Sequence, residues 1–280
     1  MSHFPAALTP AAINPAVVRR RLPVVRQVRT SRAWCEYFAY NGTRLLAIPW
    51  ETGVEFTPAE RQSVAKSLQI FQLGETGEGR HIRREADRYA ARTGDAEYPA
   101  ALQLFIAEEH RHAALLGRVL DRAGIPRLRR QWSNGVFRKL RHLAGLELAI
   151  CVLLTAELIA TIYYAALRGA TRSIVLRRVC EQILRDEAMH VRFQSEHLAR
   201  LRHCRSRWAS RGSAALQALF FVVTCTVFWI SHRQVLSAGG FSLRRFARRA
   251  FLAFQHSVSI SAYNRSRKHG LQADDLQAKQ

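Results

Sequence analysis

Acidic residues are scarce in this chain. Its 280 residues include 21 Asp and Glu against 43 Lys and Arg, a formal net charge of +22 at pH 7. Lysine is scarcer still: only Lys66, Lys139, Lys268 and Lys279 occur, so 39 of the cations are arginines. An excess of this size points to an anionic partner, whether nucleic acid, anionic lipid or an acidic substrate. It also follows from a GC-rich coding sequence, so charge alone selects none of them. Cysteine is limited to Cys35, Cys151, Cys180, Cys204 and Cys225, an odd and scattered set with no CxxC pair. That excludes a disulfide framework, a zinc ribbon and a rubredoxin-like iron site, and it suits a reducing compartment. The first residues lack a long apolar run before a cleavage site, so no secretory signal is expected and the location read from the sequence is cytoplasmic. Strand-like alternation is absent, as are GxGxxG and Walker-type loops. What is left is an all-α chain.

Hydrophobic residues make up 48% of the chain, enough to bury a sizeable core. Residues 1–57 read as an irregular, proline-dotted basic segment whose aromatic cluster (Trp34, Tyr37, Phe38, Tyr40) packs on the main body. Residues 58–203 read as four helices. "TPAE" supplies a cap at Thr57, proline at the first helical position and Glu60 three residues after the cap. Val64, Leu68, Phe71, Glu75, Glu78, Ile82, Glu85 and Tyr89 then follow at steps of four and three, predicting one continuous helix up to "TGD" at 93–95. The second helix is expected over about Ala96–Ala123 and the third, very apolar, over 144–168 before Gly169. The fourth runs from a Ser173 cap to about His203. Residues 204–280 form a C-terminal extension: a basic hinge, an apolar run at 214–230, a basic amphipathic segment beginning at "FSLRRFARRAFLAF", and a polar tail.

The second and fourth helices carry the same signature. "EEHRH" contains Glu109-x-x-His112, and "DEAMH" contains Glu187-x-x-His190. Residues three apart share a helical face, about 5–6 Å apart at Cβ, so one metal ion can take a carboxylate oxygen and an imidazole nitrogen from a single turn. One such pair is weak evidence, because it arises often by chance. The third helix adds Glu157 among apolar neighbours, where an unpaired carboxylate would cost several kcal/mol or take up a proton. The first helix offers Glu75 and Glu78. Glu157 precedes Glu187 by 30 residues; Glu78 precedes Glu109 by 31 and Glu75 by 34. If the two hairpins pack as pseudo-repeats, Glu78 is the favoured ligand and Glu75 the alternative. His81 completes a third ExxH by letter and is read as a solvated or outer residue. Gly74, Gly77 and Gly79 surround these acids and point either to close helix packing or to room for a ligand.

This set resembles the ferritin-like superfamily of di-iron carboxylate proteins, which includes rubrerythrins, ribonucleotide reductase small subunits and bacterial multicomponent monooxygenases. The resemblance rests on Glu78, Glu109, His112, Glu157, Glu187 and His190 and covers roughly residues 58–203. It implies a ferritin-like four-helix bundle holding two iron ions, with manganese or a mixed Mn/Fe pair as variants. It also implies that Asp186, just before the fourth-helix motif, hydrogen-bonds a ligating histidine, and that Glu108 does the same from the second helix. Thr161, one turn after Glu157, matches a threonine that faces the oxygen-activating pocket in the monooxygenase branch; its alternative reading is a back-bonded helix threonine. Leu116 stands where the radical tyrosine of ribonucleotide reductase would fall, which argues against a tyrosyl-radical role.

The function implied is a non-haem di-iron (or Mn/Fe) oxidoreductase that activates dioxygen or peroxide to oxidise a substrate. The alternatives are iron storage or detoxification, and a metal-stabilised module binding nucleic acid or a membrane. Substrate and electron donor are not legible in the sequence, and a homodimer is left open. The apolar run at 214–230 is expected to pack on the bundle as a fifth helix rather than insert in a membrane. Together with the arginine-rich segment after it, it suits peripheral contact with an anionic membrane surface.

Overall fold

The computed structural model describes residues 28–77, 79–129, 145–203 and 206–277, with the backbone alone at Arg207 and over 262–277. The described residues form eight α-helices, a short 3-10 turn at Trp50–Thr52 and no strand. The helices are α1 (Ser31–Gly42), α2 (Pro58–Glu75), α3 (Arg80–Thr93), α4 (Tyr98–Arg122), α5 (Leu146–Ala170), α6 (Ile174–His203), α7 (Arg207–Ala238) and α8 (Leu243–Gln277). The chain is all-α, as read from the sequence.

Local chemistry sets most of the helix starts. Thr57 accepts from the Glu60 backbone N–H while Glu60 reaches back to the Thr57 N–H at 2.8 Å, closing the expected capping box. Ser173 accepts from Leu176 N–H at the start of α6. The apolar sides of α2 to α6 then share one core. α5 packs most extensively on α6, α4 contacts α2, α3 and α6, and α5 contacts α2 and α3.

Three expectations need correction. The helix expected to run unbroken from Pro58 past Tyr89 is two helices. α2 stops at Glu75, and Gly79 takes φ +63 before α3 begins at Arg80. A Cβ on Gly79 would lie 2.6 Å from Ile106 Cδ1, so this glycine serves close packing against α4. The step of three and four across the break was therefore no guide to a shared face. Second, the segment 1–57 is not irregular throughout. Thr30 caps α1 by accepting from Ala33 N–H, and the i, i+4 pair Trp34 and Phe38 is buried at 1% and 2% exposure. Trp34 donates from Nε1 to Glu196 at 3.0 Å, tying α1 to α6, whereas Tyr40 of the same aromatic cluster is exposed. Third, most of the basic hinge is the first two turns of α7, started by Ser206, which accepts from Ala209 N–H.

α7 contacts α5 and α2, and α8 contacts α6 and α5. The turn between them sits directly on α5: a Cβ on Gly239 would fall 2.2 Å from the Ala166 carbonyl oxygen. Only a residue without a side chain permits that approach.

Candidate metal centre

Four helices bring their acids and histidines to one buried place. α4 supplies Glu109 and His112, and α6 supplies Glu187 and His190. One ligand atom from each lies within 4.8 Å of the others, so the group can hold a metal ion. His112, Glu187 and His190 are fully buried. His190 Nδ1 is 3.0 Å from Glu109 Oε1 and 3.6 Å from Glu187 Oε2, and His112 Nδ1 is 3.6 Å from Glu109 Oε1 and 3.7 Å from Glu187 Oε1. Glu157 of α5 reaches within 3.8 Å of His190 Nδ1. At the end of α2 the Glu75 carboxyl sits against Glu109 and accepts a 2.6 Å hydrogen bond from the Tyr164 hydroxyl.

The donor atoms facing one another form no aligned hydrogen bond, even where His190 Nδ1 and Glu109 Oε1 stand 3.0 Å apart. Glu109 Oε1, His112 Nδ1, both Glu187 oxygens and His190 Nδ1 are all buried and unsatisfied. Orphaned polar atoms of this kind are costly and rare. Carboxylate oxygens and imidazole nitrogens converging on one point are the donor set of a transition-metal ion, so the residues fit such an ion.

The far side of each imidazole is held in place, and in a crossed pattern. His112 of α4 donates from Nε2 to Asp186 of α6 at 3.0 Å, while His190 of α6 donates from Nε2 to Glu108 of α4 at 2.9 Å. An ionised carboxylate only accepts, so each Nε2 keeps its hydrogen and each Nδ1 is the nitrogen left to bind. The acid before each motif thus orients the histidine of the other helix.

Three residues that the sequence reading missed complete this layer. Asn41 of α1 donates from Nδ2 to both Glu108 (2.7 Å) and Asp186 (2.8 Å). Arg111 lies 3.1 Å from each of the same two carboxylates. Gln182 donates to Asp186 while its own oxygen accepts from Leu46 N–H. Arg111 falls inside the ExxH turn and could have been suspected from the helical step to Glu108; no local pattern marks Asn41.

Charge follows from these contacts. Burial works against ionisation of Asp186, but the bonds from His112, Asn41 and Gln182 outweigh it and hold the carboxyl well below the usual range. Glu108 is lowered for the same kind of reason, by His190 and Asn41 against burial. Glu109 is brought down to about 2, burial being outweighed by His190 and His112. Burial pushes Glu75 and Glu187 well above the ordinary value, reinforced by Glu109 beside the first and Glu157 beside the second. His190 is raised despite its burial, because Glu108, Glu109, Glu157 and Glu187 crowd it.

Of the other candidates, Glu78 lies outside the described residues. Thr161 is not joined to the cluster among the described contacts: its hydroxyl donates to the Leu158 carbonyl at 2.7 Å, the back-bonded arrangement. His81 is half-buried in the first turn of α3.

The chain is therefore an all-helical protein with a buried Glu/His group able to hold a metal ion, an arrangement compatible with a ferritin-like fold. No protein-family model matches it, and no curated protein or solved structure does so.

Proposed function

We propose that this chain is a ferritin-like di-metal carboxylate oxidoreductase. Two iron ions, or a manganese-containing pair, would be held by Glu109, His112, Glu187 and His190 with Glu157 and Glu75, Glu75 standing in the place that spacing gave to Glu78. The observation carrying the proposal is the set of orphaned donor atoms, Glu109 Oε1, His112 Nδ1, Glu187 Oε1 and Oε2 and His190 Nδ1, whose imidazoles are pinned from behind by Asp186 and Glu108. Metal ions there would supply activation of dioxygen or peroxide for oxidation of a bound substrate.

The chain's own residues have separate tasks. Asp186 and Glu108 keep each Nδ1 free of its hydrogen and aimed inward. Asn41 and Arg111 hold those two carboxylates at a fixed separation. Tyr164 orients Glu75 through its hydroxyl. The fully buried Glu187, His112 and His190 keep bulk water from the cluster. Storage of iron, the competing reading, would not require a substrate to be turned over. Iron-reconstituted, reduced protein should consume dioxygen faster than a Glu187→Ala, His190→Ala variant treated alike. Equal rates would refute the oxidoreductase reading.

A further inference from the structure

The outer face of α7 and α8 takes no part in the core or in the metal centre. α7 turns Phe221, Cys225, Phe228, Val235 and Leu236 inward. Its opposite side exposes Leu216, Leu219, Val222, Val223 and Ile230, at 52% to 67% of their surface. Steps of three, four and seven keep these residues on one side of the helix. α8 runs antiparallel beside it, with the Phe221 ring 4.9 Å from Phe254 and Phe228 5.9 Å from Phe246. That register sets the exposed Phe251 and Leu252 level with Val222 and Val223, and the exposed Val258 near Leu216. Single exposed apolar residues are ordinary; eight of them along two neighbouring antiparallel helices mark a contact surface.

The charge on this layer has one sign. No Asp or Glu occurs between Glu196 and Asp274. Arg211, Arg233, Arg244, Arg245, Arg248 and Arg249 are all exposed at the ends and edges of the face. At one end Arg211 lies over the ring of Trp208, which is 79% exposed.

We propose that this face seats on an anionic lipid bilayer, its aliphatic and aromatic side chains entering the acyl boundary and its arginines lying among the headgroups. A second copy of the chain is a poor occupant, since it would set arginines against arginines with no acid to pair them. Nucleic acid would engage the arginines but leave the Leu and Val side chains uncovered. The helices lie on the bilayer rather than cross it, because their inner sides are tied to the protein. Gln217 accepts from Arg202, His232 bonds Ser67, and Ser261 donates to the Ser195 carbonyl.

The test is co-sedimentation of the full-length protein with vesicles of phosphatidylglycerol and phosphatidylcholine, or of phosphatidylcholine alone. Wild type is expected to pellet with the anionic vesicles and far less with the neutral ones. Val223→Asp with Phe251→Asp should weaken partitioning by at least about tenfold, as removal of two inserted apolar side chains requires. Leu219→Ser with Phe251→Ser, a milder change, should weaken it in the same direction. Far-UV circular dichroism and the thermal midpoint show that each variant is folded; both changed positions are already exposed. The proposal is overturned if wild type does not pellet with anionic vesicles, or if folded face variants pellet as well as wild type. It is also overturned if light scattering finds a wild-type dimer that the face variants convert to monomer while vesicles bind neither.

Discussion

Replacing Asp186 with asparagine removes one charge and almost no volume. Asp186 is fully buried, and its two oxygens receive His112, Arg111, Asn41 and Gln182 at 2.8–3.1 Å. The amide has one acceptor oxygen, so in either orientation its NH2 group faces donors. If it meets His112, the imidazole either loses its anchor or flips tautomer and places a hydrogen on Nδ1. A hydrogen bond to a charged group is worth about 1.5–3 kcal/mol. At about 1.4 kcal/mol per tenfold, that corresponds to roughly a 10–100-fold loss of metal affinity. Asp186→Asn is expected to fold, to bind ferrous or cobaltous ion in a chelator-competition titration, and to bind it more weakly by that factor. Glu108→Gln should do the same through His190. Wild-type affinity in both variants would refute the view that these carboxylates orient the histidines.

Glu75→Gln should lower the metal stoichiometry or affinity, while Glu78→Gln should leave both near wild type; titration of the two variants side by side would reverse the assignment if Glu78 proved the sensitive one. Metal loading should release protons, because burial and crowding carboxylates make Glu75, Glu187 and His190 bind protons more tightly than usual. Raised pKa values favour the protonated forms, so affinity should fall as pH is lowered and rise as pH increases; binding enthalpies that do not vary with the ionisation heat of the buffer would contradict this. Gly79→Ala should destabilise the fold by about 1–2 kcal/mol in denaturant unfolding, chiefly from the left-handed backbone it must adopt. Trp34→Ala should cost about 3–5 kcal/mol, as for other buried aromatic truncations; a change under about 0.5 kcal/mol would mean that α1 is not part of the folded core.

Periodicity made α4, α5 and α6 legible, and the i, i+3 geometry of Glu109–His112 and Glu187–His190 made the heart of the site legible with them. The rest depended on contacts remote in sequence. Helical counting from Leu68 to Ile82 assumed a rod, but α2 ends at Glu75 and the left-handed Gly79, packed on Ile106, resets the register before Ile82. Asn41 meets Glu108 and Asp186 across separations of 67 and 145 residues, beyond any local pattern. α1 was hidden because it is short and stands apart from the bundle in sequence, in a proline-dotted stretch, although two of its rings, Trp34 and Phe38, anchor it in the core. The run at 214–230 is apolar on both sides of α7, so composition could not distinguish the side that packs from the side left exposed.

The most direct test of the metal centre is the metal content of the full-length protein after anaerobic ferrous loading and removal of unbound ion. About two irons per chain are predicted, as a dinuclear carboxylate centre requires, falling well below that in Glu187→Ala, His190→Ala protein. A content near zero in the wild type, or one unchanged by those substitutions, would contradict it.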